Sequence, residues 1–126
     1  MKTFLGSMAA LFIIIVGIRF YSSALSNSVN KLEDYTDQIV KTAKNEDWEN
    51  CQHIFHEFKE HWSKKGKWLT GFIHHDDIHY IDENIAELCV YIDYKDAELT
   101  ASKAATIKVR LAQMPSGEEL NLENLF

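Results

Sequence analysis

The sequence predicts an all-α protein in which an N-terminal transmembrane helix leads into an up-down four-helix bundle. Three observations predict it. Turn residues are scarce, with one proline and five glycines in 126 residues, which starves an all-β fold of its punctuation. An uncharged apolar run lies near the start of the chain. Beyond it, four stretches repeat apolar residues at helical spacings of three and four.

The apolar run is TFLGSMAALFIIIVGI, residues 3–18, bounded by Lys2 and Arg19. As a helix it would be ~24 Å long, short of a ~30 Å hydrocarbon core. Phe20 and Tyr21 extend it, and the flanking cations can snorkel. Because it is apolar on every face, burial inside a soluble bundle is disfavoured. A cleaved signal peptide competes, since Ser22 and Ala24 stand at cleavage-like spacing. Arg19 interrupts the run before that site, and the run exceeds a usual signal core, so residues 1–24 are read as an uncleaved anchor. Lys2 and the start amine nearly balance Arg19 and Lys31 under the positive-inside rule. A very short N-terminal flank ordinarily stays cytoplasmic, which makes this a single-pass protein of the cell membrane with an extracytoplasmic bundle.

The bundle is expected over residues 25–115, as one domain. Its first seam is Leu25, Val29, Leu32, Thr36, Ile39 and Ala43, with no breaker between it and the anchor, so the two can form one rod. NED at 45–47 ends that helix and Asp47 caps the next, whose seam is Trp48, Cys51, Phe55, Phe58 and Trp62. SKKGKW is expected to stop it, with Gly66 as the C-cap. The third seam is His74, Ile78, Ile81, Ile85, Leu88 and Ile92, and Asp96 caps the fourth helix. That helix carries Ala97, Ala101, Ala104, Ile107, Leu111 and Met114 on one face, and Met114-Pro115 closes it. SGEE at 116–119 has capping-box spacing, and Leu120, Leu122 and Leu125 make residues 116–126 an apolar tail expected to pack on the bundle.

Charge excludes one class of function. The formal net charge is −6, and no basic stripe is available to neutralise phosphates, so no nucleic-acid partner is expected. Two cysteines, Cys51 and Cys89, are too few for a disulfide framework or a thiolate zinc site. No serine carries a nucleophile-elbow signature, no glycine loop cradles a phosphate, and paired acids such as Glu57 and Glu60 are ordinary on a helix surface. The chain is therefore not expected to be an enzyme.

The order of these features resembles the bacterial family called domain of unknown function 4363. The resemblance rests on Asp47-Trp48 opening a helix, Trp62 near its end, Ile73-His74 with Ile78 and Ile81 opening the next, and Glu118, Leu120, Leu122, Asn124 and Leu125 in the tail. It spans nearly the whole chain. It implies an N-terminally membrane-anchored helical protein from an endospore-forming or related Gram-positive source, and it implies no activity.

The densest polar stretch is GFIHHDDIHY, residues 71–80. His74 shares the seam face with Asp77 and Ile78, whereas His75 and His79 share another with Asp82 and Glu83. If the second and third helices fold back about residues 67–68, His61 comes near His74 and His56 near His79. A zinc site of His61, His74 and Asp77, or with Glu57 supplying oxygen, is then sterically available. The structural reading makes His74 a packed or capping residue, puts Asp76 and Asp77 at a helix N-terminus and leaves His75 and His79 solvated. It is preferred because HExxH spacing is missing. Trp48 and Trp62 read likewise as structural core and not as a pocket floor. No cofactor is expected on this reading, with zinc the one candidate. The function expected is a structural or protein-interaction role on the membrane bilayer, with an integral membrane protein as partner. The alternative is a metal- or small-ligand sensor using the histidines of helices two and three.

Overall fold

A computed structural model describes residues 2–69 and 75–113. They form four α-helices: α1 (Lys2–Lys44), α2 (Trp48–Leu69), α3 (His75–Asp93) and α4 (Ala97–Ala112). No strand occurs among the described residues. The anchor segment and the first bundle helix are one uninterrupted element, because nothing between Arg19 and Ser28 breaks a helix. By length and composition α1 is able to cross a membrane, and none of the apolar window that qualifies it is buried.

The chain divides into two compact units. One holds α1 as far as Asn27, and the other covers Ser28–Met114. In the second unit the core is built from every helix: Leu32, Ile39 and Ala43 of α1, Phe55, Phe58 and Trp62 of α2, Ile81, Leu88 and Ile92 of α3, and Ala104, Ile107 and Leu111 of α4. The seams read from the sequence thus supply the buried faces, Thr36 among them, although Val29, Ile78, Ile85 and Ala101 are only half-buried; Ser28, Asn84 and Thr100 are polar additions. Thr36 and Asn84 are satisfied within their own helices, by the Glu33 and Tyr80 carbonyls at 2.6 and 2.7 Å. Thr100 Oγ1 is buried and has no hydrogen-bond partner among the described residues. Trp48 is half-buried, at the first turn of α2.

Two joints share one construction. Glu46 and Lys95 take positive φ (55° and 56°), and an aspartate follows each. In both, the aspartate N–H reaches back to a carbonyl of the preceding helix, Asp47 to Thr42 at 2.9 Å and Asp96 to Tyr91 at 3.0 Å. This double return is the Schellman arrangement, which closes a helix by a single left-handed residue. The same aspartate then starts the next helix: Asp96 accepts from the Leu99 N–H at 3.0 Å. The Asn50 N–H stands at 3.5 Å from Asp47, which is more firmly held by the Asn50 side-chain amide at 2.6 Å.

The joint between α2 and α3 differs from expectation. Gly66 does not stop α2, which runs on to Leu69, and α3 begins at His75. A lone glycine costs a helix ~1 kcal/mol, less than its neighbours supply here. The fold-back is therefore centred near residue 72 and not at 67–68, which slides the register: Trp62 Nε1 donates to Asp82 at 2.7 Å. His61 and His56 consequently lie level with positions well beyond the His74 and His79 expected for them.

Side chains tie the remaining pairs. Lys103 of α4 pairs with Glu87 of α3, and Lys108 of α4 bonds Asp37 of α1 at 2.8 Å, closing the bundle between its first and last helices. The backbones of α3 and α4 approach closely, as the small side chains of Thr100 and Ala104 on the buried face of α4 permit.

Candidate functional site: a cationic surface around His61

The sequence singled out His61, His74 and Asp77. His74 lies outside the described residues, as does the C-terminal tail. Asp77, in the first turn of α3, is engaged by α4: Arg110 donates to its Oδ1 at 3.1 Å, and the guanidinium lies 3.9 Å from the centroid of the Tyr80 ring. A carboxylate at a helix N-terminus, paired with a guanidinium that stacks on an aromatic face, clamps α3 to α4. Among the described residues, no group of three or more His, Cys, Asp or Glu side chains is placed to hold a metal ion.

His61 sits elsewhere, between α1 and α2. The short joint after Lys44 puts Lys31 about level with His61 and Ser28 about level with Lys64. Tyr35 presents its ring edge-on to the imidazole, centroids 6.2 Å apart. Lys31 Nζ lies 5.9 Å from the Tyr35 centroid, and Lys64 and Lys65 follow His61 by three and four positions, on its face of α2. His61 Nε2 is buried and has no hydrogen-bond partner among the described residues.

Burial pushes the His61 pKa below its ordinary 6.5. Lys31, Lys65 and Lys64 push the same way, against an opposing hydrogen bond that the ring donates to the Ser28 backbone. The imidazole is accordingly held neutral amid ammonium groups. Neutral imidazole is a metal ligand in principle, but three nearby cations make this a poor seat for a dication and a favourable one for an anion. Lys31, Lys64 and Lys65 are all exposed. The sequence carried the signal in two halves, Lys31/Tyr35 at i,i+4 and His61/Lys64/Lys65 at i,i+3,i+4. Only the α1–α2 register joins them.

Both cysteines are free. Cys51 is fully buried, and burial raises its thiol pKa, with the Thr42 hydroxyl pulling the other way and Asp47 adding to the rise. Such a thiol is inert.

A protein-family model described as Domain of unknown function (DUF4363) matches residues 19–125. No curated protein and no solved structure matches the chain.

Proposed function

The chain belongs to the DUF4363 family, and from that premise we propose that it is a membrane-tethered, non-enzymatic helical module whose bundle stands outside the cytoplasm and contacts an integral membrane protein. The observation that carries this reading is the N-terminal part of α1, long and apolar enough to span a bilayer. Phe4, Phe12 and Ile13 are each about two-thirds exposed there, an arrangement costly in water and favourable in lipid. Gly6 and Gly17, with Ala9 and Ala10, suit close approach of a second helix, and a Cβ added at either glycine would meet nothing within 4 Å.

The test is a photo-crosslinker placed at Ala10 of the full chain in its native membrane. A discrete adduct that disappears in Gly6→Leu is expected. A chain that stays monomeric and without adducts overturns the partner reading, and release of the chain by alkaline carbonate overturns the tether.

The sensor reading keeps one supporting observation, the unpartnered Nε2 of His61. On the tethered-module reading, the melting temperature of the full chain is the same in zinc and in chelator. A ligand present at a hundred times its Kd stabilises by ~2.7 kcal/mol, so a site with His61 as a ligand gives a rise of several degrees that His61→Ala removes.

A further inference from the structure

We propose that the surface made by Lys31, Lys64 and Lys65 around Tyr35 and His61 binds anionic lipid head groups. The inference rests on the tethered reading and adds to it the lipid chemistry that the bundle recognises.

Placement supports it first. Ser28 is the first residue of the bundle unit, and Lys31 follows it within one turn of α1. Lys31 therefore stands only twelve positions along the chain from Arg19, where the apolar run ends. Lysine stems reach along apolar surface while their ammonium groups stay in the interfacial layer.

Charge segregation supports it second. The chain holds 19 acidic residues against 13 basic ones, so a group of three lysines is not the default on its surface. Several neighbouring carboxylates are engaged by other partners, Asp34 among them, whose Oδ2 accepts from the Gln38 side-chain amide at 2.8 Å. Asp37 bonds Lys108 on α4, and Glu33 acts on that same lysine. Glu57 and Glu60 pair with His53 and His56 along α2, each at 3.3 Å. On α1, positions 31 and 35 point to α2 while positions 33 and 37 point to the opposite side, as two-residue offsets on a helix must.

Tyr35 and His61 supply what lysines alone lack. A tyrosine belongs at a membrane interface, apolar in body and polar at its tip. A buried acceptor nitrogen without a protein partner gains a hydrogen bond if a head-group hydroxyl or a bound water donates to it. Basic residues near an anionic leaflet are drawn to it within about a Debye length, and three acting together change occupancy on the order of a hundredfold.

The experiment uses the full chain in nanodiscs, either of neutral phosphatidylcholine or with phosphatidylglycerol added, labelled by a water-soluble amine reagent and read by mass spectrometry. The expected result is labelling of Lys31, Lys64 and Lys65 roughly tenfold slower in anionic discs. Lys44 and Lys95, at the far joints, label at the same rate in both and serve as the internal reference. Added salt restores the faster rate, and Lys64→Gln with Lys65→Gln restores it for Lys31. Equal labelling in the two lipids overturns the proposal, as does slowing in neutral discs alone, which would assign the surface to a partner other than lipid charge. A chain that leaves the discs once detergent is removed overturns the tether, and this proposal with it.

Discussion

At the scale of single residues, the core carries two polar groups whose worth can be measured. The Thr100 hydroxyl is buried without a partner among the described residues. An unsatisfied buried hydroxyl costs ~1–3 kcal/mol, and an isosteric methyl removes that cost. Thr100→Val is thus expected to raise stability by about 1 kcal/mol, visible as a higher denaturant midpoint at unchanged m-value. His61 makes stability depend on pH. Its folded pKa lies below the unfolded 6.5, so across the interval between them the unfolded chain binds more protons. Stability is therefore intact above 6.5 and declines as pH falls through 6.5 toward the folded value. Lys31, Lys64 and Lys65 all disfavour the charged ring and no carboxylate is in contact to relieve it among the described residues. Thermal melts of the full chain from pH 8 to pH 5 should show this decline, and His61→Gln should flatten it.

At the scale of elements, the two Schellman joints put a glutamate and a lysine where glycine is favoured. A non-glycine residue in the left-handed region costs ~1 kcal/mol. Lys95→Gly is expected to stabilise the protein by ~0.5–1 kcal/mol, since relief of that strain outweighs the added freedom of the unfolded chain. A loss of stability in urea melts would show that the Lys95 side chain contributes more than its backbone costs. These joints also show what a sequence reveals. Asp47 and Asp96 announce helix starts, and the seams of Leu32, Ile39, Phe55, Phe58, Leu88 and Ile107 were legible because burial imposes a period. Glu46 and Lys95 carry no such mark, because their left-handed backbone is imposed by the two helices they join. Gly66 misled for the converse reason: local chemistry suggested a stop, but a lone glycine costs a helix only ~1 kcal/mol and α2 runs on to Leu69. The error propagated, since moving the fold-back by a few residues changes every neighbour of α2 on α3. Hence Trp62 meets Asp82, and His56 does not lie level with His79. The cationic surface stayed hidden because its halves lie thirty residues apart.

At the scale of the bundle as a whole, its buried thiol reports on cooperative opening. Cys51 is fully buried and its thiol pKa is raised, whereas Cys89 is half-buried. A thiol reagent applied at neutral pH is expected to modify Cys89 promptly and Cys51 only at the rate of global unfolding. Cys51 labelling that outpaces unfolding in denaturant would mean that the α1–α2 pair opens separately from α3–α4. The joints bear on that question in time as well as in stability. Three residues connect α1 to α2 and three connect α3 to α4, so each hairpin closes a short loop, an event of tens of nanoseconds, before its helices zip together. Only the docking of α4 on α1, where Lys108 meets Asp37, joins segments 71 positions apart. Folding is thus reduced to two fast local closures and one slower collision between preformed hairpins. A chain made from its N-terminus could complete its first hairpin before its second had been made.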